Sequence, residues 1–220
     1  MLKVGVLGAG HLGKIHIRLL LELSDKYEFV GFFDPSEINA QGAIEQFKIK
    51  RFDTIEELLN EVDCIDIVTP TITHFDCAAA ALRKSKHVFI EKPVTQTTDE
   101  AKLLTNLAEE AGVQVQVGHV ERFNPAVRYA RTMDLGQVVS ISARREGPYS
   151  PRILEGVTRD LMIHDIDLCA YLTGERFSVV GAGCKTALSN SEDVSAAILK
   201  GESGLIASLL ASRIGQTKIR

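Results

Sequence analysis

Apolar residues in the first half of the chain come in short runs separated by amphipathic stretches, a pattern that predicts repeating strand–helix units. Leu2–Gly8 reads as a buried strand and His11–Leu23 as a helix. Phe29–Asp34 is a second strand, and Ser36–Phe47 a second helix. Thr54-Ile55-Glu56-Glu57 has the form of a capping box, in which an N-cap hydroxyl and a carboxylate three residues on satisfy helix-end amides reciprocally. Cys64–Thr69 reads as a strand ended by Pro70, Thr73–Lys84 as a helix and His87–Ile90 as a further strand. Thr97-Thr98-Asp99-Glu100 is a second capping box, opening a helix that runs to Ala111, and Val113–Val117 closes the series. Alternation of this kind implies a parallel sheet with helices on both faces.

The pattern changes near residue 120. Glu121–Arg131 is polar and reads as helical from Pro125, and Val138–Arg145 alternates like a strand. A loop with Gly147, Pro148, Pro151 and Gly156 follows, then Thr158–Leu172, which reads as a helix apolar nearly all round. The runs Phe177–Cys184, Val194–Lys200 and Leu205–Ser212 read as strands joined by turns, which predicts antiparallel pairing. The expected fold class is therefore α/β. A doubly wound parallel sheet spans residues 1–119, and an α+β domain with an open, mostly antiparallel sheet spans 120–220.

Composition excludes more than it identifies. Hydrophobic residues make up 45% and charged residues 25%, ordinary globular values. A net charge of −4 with no basic stretch argues against nucleic acid as a partner. No apolar run is long enough to span a bilayer, and Met1 leads directly into the first strand, so neither a membrane partner nor a leader peptide is expected. Cys64, Cys77, Cys169 and Cys184 lie in apolar segments without metal-ligand spacing. They read as reduced, buried thiols of a cytoplasmic protein, with no metal site.

Gly8-Ala9-Gly10-His11-Leu12-Gly13 matches G-x-G-x-x-G. The match gains weight from its context, because it follows a strand and opens a helix. The first glycine serves the tight turn, the second lets backbone approach a pyrophosphate, and the third lets helix and strand pack closely. Free amides at the helix start then face the phosphates. Asp34 ends the second strand, where an acid accepts from the ribose hydroxyls and repels a 2′-phosphate, so NAD is favoured over NADP. Otherwise Asp34 merely opens the Asp34-Pro35 turn. Thr69 and Pro70, at the end of the third strand, either border the nicotinamide half of the cofactor or form a plain turn.

Two further features carry candidate chemistry. Glu91-Lys92-Pro93 follows a strand at the edge where ligands bind in open α/β sheets. Lys92 is there catalytic, anion-binding or a solvated loop charge. Asp160 and His164 lie four apart in an otherwise apolar helical segment, with Asp167 near the same face. A carboxylate beside an imidazole fixes its tautomer and raises its basicity. The alternative is a satisfied ion pair at a domain interface.

Together, Gly8–Gly13 with Asp34, Glu91-Lys92-Pro93 and Asp160-x-x-x-His164 resemble the Gfo/Idh/MocA oxidoreductases over the whole chain. The resemblance implies an N-terminal Rossmann domain joined to an α/β domain whose open sheet forms a homo-oligomer interface. It also implies NAD(P)-dependent oxidation or reduction of a hydroxyl on a sugar, a cyclitol or a related compound. Lys92 matches the catalytic lysine, with His164 as the base and Asp160 orienting it. A cis Lys92–Pro93 bond is implied as well. His74 and Glu91 fall among cofactor-lining positions, with Glu91 read as structural rather than catalytic. Gly118–Pro125 and Asp160–Asp167 look like the UDP-N-acetylglucosamine 3-dehydrogenase branch, which oxidises the sugar C3 hydroxyl. Asn124, Arg122 and Arg144 are then substrate-side candidates, although either arginine can equally be a surface cation. Members run longer than 220 residues, so the second domain is expected to be incomplete at its C-terminus. The competing function is a non-catalytic NAD(H)-binding sensor or partner subunit, which needs none of the three catalytic candidates. A semialdehyde or imine reductase is a third reading.

Overall fold

A computed structural model describes residues 1–150 and 155–220. Pro151 of the expected loop lies outside the described residues. The chain forms two compact units, Met1–Gly118 and His119–Arg220.

The first unit is a five-stranded parallel sheet of β1 (Leu2–Leu7), β2 (Tyr27–Phe33), β3 (Cys64–Ile67), β4 (His87–Ile90) and β5 (Val115–Val117), in the order β2-β1-β3-β4-β5. A single parallel bridge between Phe32 and Arg51 adds a vestigial strand outside β2. Counting it, the order becomes the 3-2-1-4-5-6 of a dinucleotide-binding sheet, with its switch point between β1 and β3. Leu7 and Ile67, the last residues of those strands, are register partners, so the loops after them leave the same edge side by side.

Helices α1 (His11–Glu22), α2 (Glu37–Phe47), α3 (Ile55–Glu61), α4 (His74–Arg83) and α5 (Thr98–Ala111) complete the unit. Strands covered on both faces need apolar residues at successive positions, which explains the unbroken runs. Val6 belongs to one core with Ile17, Phe32 and Ala43, and the next residue, Leu7, belongs to the opposite core with Ile67, Leu82 and Ile90. At α5 the capping box is complete, with Thr97 accepting from the Glu100 amide and Glu100 accepting from the Thr97 amide. At α3 it is only half formed. Thr54 accepts from the Glu57 amide, but the Glu57 carboxylate takes the amide of Asp53 instead.

The second unit is a four-stranded sheet of β6 (Ser140–Glu146), β7 (Phe177–Lys185), β8 (Val194–Gly201) and β9 (Ile206–Ser212), in the order β6-β9-β8-β7. β7 with β8 and β8 with β9 pair antiparallel, as their turn connections require. β6 and β9 pair parallel, so the sheet is mixed and, as expected, mostly antiparallel. The cause is the connection after β6, which carries α7 (Ile163–Thr173). A helical crossover returns the chain to the same end of the sheet, so β7 runs with β6, and two hairpins later β9 does too. Met162 and Cys169 pack on the alternate inward residues Ala197, Leu199, Ala207 and Leu209. A shorter helix, α6 (Pro125–Thr132), begins at the predicted proline.

The predicted Thr158–Leu172 helix divides in two. Thr158–Met162 is a π-helical turn, closed by a bond from the Ile163 amide to the Thr158 carbonyl, and α7 follows it. Its surface is also mixed, with Asp165 buried and Ile166 exposed. The cysteine expectation fails at Cys184, which is exposed. It lies on β7, an edge strand whose every residue after Phe177 faces outward to solvent. Cys77 and Cys169 are buried, Cys64 is half-buried, and all four are free thiols.

Candidate cofactor and catalytic residues

The three glycines of the N-terminal loop do separate jobs. Gly8 has φ +97°, and a Cβ there would meet the Val68 carbonyl oxygen at 2.7 Å. A Cβ on Gly13 would fall 2.0 Å from the Gly8 carbonyl oxygen, so only glycine lets α1 sit this close to the loop. A Cβ on Gly10 would meet nothing within 4 Å. Gly10 is also the N-cap of α1 and offers no side-chain cap, and the first turn holds no acid. The helix-start amides thus lack an internal anion, and the space over Gly10 is open, which fits a pyrophosphate. His11 and Leu12 are exposed beside it.

Asp34 is buried at the end of β2. Its carboxylate accepts from the Ser36 amide at 2.7 Å, which is the turn role, and from the Ala9 amide at 2.7 Å, which ties it to the glycine loop. Asn39 adds a longer contact at 3.4 Å. A carboxylate has about four acceptor directions, so one remains after these three donors. Arg51 is committed next to it, to Glu37 at 2.7 Å and to the Asp34 carbonyl at 3.2 Å.

Lys92 is half-buried directly after β4, and the Lys92–Pro93 peptide is cis. The loop is held from two sides. His74, fully buried at the start of α4, places Nδ1 2.8 Å from the Pro93 carbonyl and Nε2 2.9 Å from the Thr69 carbonyl. Both ring nitrogens thus lie against carbonyl oxygens, and His74 braces the Thr69–Pro70 turn against the lysine loop. Thr73 closes the Thr69–Pro70 turn, its hydroxyl bonding Thr69 Oγ1 and the Pro70 carbonyl. On the other side, the Glu91 carboxylate accepts the Lys92 amide at 3.2 Å. It also lies 3.5 Å from Nε2 of His16, whose Nδ1 is 2.9 Å from Asp66. Sequence reading missed His16 and Asp66. An acid inside a strand that is otherwise apolar on both faces was the available signal.

In the second unit, Asp160 lies within the π-helical turn and His164 in the first turn of α7, both half-buried. The wider turn replaces the α-helical register assumed for this pair. π-bulges of this type concentrate at functional sites. Asp167 does not join His164. It forms a bidentate pair with Arg122, through Nε at 2.8 Å and through Nη2, and lies 3.6 Å from Nδ1 of His119. Asn124 caps α6, accepting from the Ala126 amide, while its amide group contacts Glu121 at 3.3 Å. Arg144 is exposed and paired with Glu146. The buried cation is its neighbour Arg145, which bonds Asp165 through Nε and Nη2 and Glu121 through Nη1. Burial favours the neutral acid at Glu121, but Arg145, Asn124 and Arg220 outweigh it and hold the carboxyl below its ordinary value.

The family described as "Oxidoreductase family, NAD-binding Rossmann fold" matches residues 2–119, and the "GFO/IDH/MocA C-terminal domain" matches residues 123–219. The chain is similar to UDP-N-acetylglucosamine 3-dehydrogenase of Acidithiobacillus ferrooxidans, at 36% identity over 214 residues, covering 97% of this chain and 67% of the relative. The scyllo-inositol 2-dehydrogenase (NAD(+)) of Bacillus subtilis is 33% identical over 194 residues, covering 82% of this chain and 57% of that relative. A solved structure of the Acidithiobacillus enzyme superposes with a TM-score of 0.91 at 35% identity, over 100% of this chain and 69% of that one. The chain thus spans between 57% and 69% of the length of these relatives. It belongs to the GFO/IDH/MocA family of oxidoreductases.

Proposed function

We propose that the chain acts as an NAD-dependent dehydrogenase on a nucleotide sugar, with the C3 hydroxyl of UDP-N-acetylglucosamine as the reacting group. The observation that carries the reading is the sheet edge at the switch point. The glycine loop, Asp34, the Thr69–Pro70 turn and Lys92 all leave carboxyl ends of parallel strands there. Bound NAD supplies the hydride acceptor. The substrate C–H bond gives up its hydride as the O–H bond gives up its proton, leaving a ketone. His164 takes that proton, Asp160 fixes the imidazole that does so, and the Lys92 ammonium steadies the oxygen as its charge develops. The similarity to a UDP-N-acetylglucosamine 3-dehydrogenase supports the substrate.

NAD over NADP is supported by the Asp34 carboxylate, which would repel a 2′-phosphate. The commitment of Arg51 supports it too, because its Nη1 is held by Glu37 and its Nη2 by the Asp34 carbonyl. Arg122 and Arg144, proposed to meet the diphosphate, would exchange their carboxylate partners for phosphate. Copies of the chain are proposed to associate through the sheet of the second unit, whose edge strand exposes Val179 at 68% and Val180 at 62%. The test is NADH formation from NAD and UDP-N-acetylglucosamine by the wild type and by Lys92→Ala. Turnover lost in the variant while NAD binding persists is the expected result. Equal turnover by both proteins would remove Lys92 from the chemistry, and NAD binding without turnover in either would favour a sensor.

A further inference from the structure

Behind the lysine loop lies a part-buried chain of ionisable groups with no part in the proposed chemistry. His16 sits on α1 between two carboxylates that come from different strands. Asp66, in the middle of β3, is 6% exposed and lies 2.9 Å from Nδ1. Glu91, just past β4, lies 3.5 Å from Nε2. The second oxygen of Glu91 accepts the amide of Lys92. The Glu91 carboxylate packs against Gly118, where an added Cβ would fall 2.6 Å from its Oε1, so only glycine leaves it this place. Asp66 Oδ1 is buried without a hydrogen-bond partner, so His16 is the group that answers this acid.

We propose that His16, as an imidazolium clamped between Asp66 and Glu91, is the positioning residue of Lys92, acting through the Glu91 carboxylate that holds the lysine's backbone. The inference rests on the assignment of Lys92 to the chemistry. A neutral imidazole has one N–H and would turn a lone pair toward the other carboxylate. The two acids, on neighbouring strands, would then repel each other. Burial lowers the His16 pKa, but the bond to Asp66 and the charges of Asp66 and Glu91 outweigh it and raise the pKa above the ordinary value. Burial raises the Glu91 pKa, opposed by His16, the Lys92 amide and the Lys92 ammonium. Beyond these, burial and, after it, the charges of Asp66 and Asp63 push the Cys64 thiol on β3 up to about 11, so it stays neutral at physiological pH. The Phe89 ring also lies against His16 in an edge arrangement, with ring centroids 6.1 Å apart.

The sign follows from the raised pKa. The clamp is intact below the ordinary histidine range and is lost as pH rises through the raised value. Turnover should therefore carry a limb that falls on the alkaline side of about 6.5, opposite in direction to the limb of a histidine base. The experiment compares wild type, His16→Asn, Glu91→Gln and Lys92→Ala, reading kcat, the KM for NAD and the pH profile of kcat. Ring ¹⁵N shifts of His16 are followed against pH in the wild type. His16→Asn should lower kcat by about 10- to 100-fold at neutral pH, the scale of a small misplacement of a catalytic group. The KM for NAD should change little and the falling limb should vanish. Glu91→Gln should also remove the limb. A falling limb that survives both substitutions, or a His16 ring that titrates at or below the ordinary value, overturns the clamp. If His16→Asn does not fold, Glu91→Gln and the ring titration decide. If Lys92→Ala turns over like the wild type, the parent assignment fails and takes the positioning role with it, while the ring titration still reports separately on the clamp.

Discussion

Asp34 shows how much one side chain can be asked to do. It opens a turn through the Ser36 amide, anchors the glycine loop through the Ala9 amide, and keeps an acceptor direction for the ribose proposed there. The first two roles predict that Asp34→Ala loses NAD affinity beyond the loss of a ribose contact, because the loop is released as well. Specificity is a separate matter from affinity. Glu37→Gln combined with Asp34→Ser releases Arg51 from its carboxylate partner and removes the repelling charge. The ratio of kcat/KM for NADP over NAD should rise by about 10- to 100-fold, matching a charge-assisted bond of about 1.5–3 kcal/mol. Steady-state kinetics with both cofactors reads this directly. An unchanged ratio would mean that Arg51 takes no part in discrimination. At this scale the sequence was read unevenly. The glycines and Asp34 stood out because tight turns and close helix packing restrict residue type. Arg145 and Asp165 did not, because lone charges in amphipathic stretches look like solvated ones until the fold buries them.

Single elements make their own predictions. Thr97 caps α5 with a complete box, and Thr97→Ala should cost about 1 kcal/mol, read by denaturant unfolding. Ile67→Ala, wholly buried at the end of β3, should cost about 2–5 kcal/mol. Asp193, just before β8, is fully buried and gathers the amides of Ala187, Leu188 and Ser189 together with the Ser189 hydroxyl. Burial raises its pKa, but these donors prevail and hold the carboxyl far below the carboxylate range. Its contribution to stability is therefore full above the unfolded value of about 3.9 and is lost as pH falls toward the folded one. Asp193→Asn should flatten the acid side of the melting-temperature profile, and an acid limb identical to the wild type would show that the loop is held otherwise. Element positions were legible wherever period and punctuation agreed, as at β4 and α5. The π-helical turn was not, because Thr158–Leu172 has the composition of an ordinary helix. The parallel pairing of β6 depends on the handling of a long crossover, which local periodicity does not encode.

For the whole molecule, the two units were legible as a switch from strand–helix alternation to consecutive strands. Relations across large sequence separations were not, including the His16–Asp66–Glu91 chain that joins α1, β3 and the end of β4. The first unit carries all the residues proposed to hold the cofactor, so binding should be separable from turnover. NAD at a hundredfold excess over its Kd should stabilise the folded chain by about 2.7 kcal/mol, seen as a rise in melting temperature. Gly13→Ala should abolish that rise, because the added carbon collides with the Gly8 carbonyl. No such rise in the wild type would count against the cofactor assignment.

The edge strand β7 has one more consequence. Of the four thiols, Cys77 and Cys169 are shut away and Cys64 is half-covered with its pKa near 11, which leaves Cys184 on β7 as the fast-reacting one. The protein thus carries a native chemical tag on the margin of its second sheet. Its rate of maleimide labelling, followed across protein concentration, is a clock for how often that margin lies open. Slower labelling at higher concentration would record a neighbour arriving there, with no label to engineer.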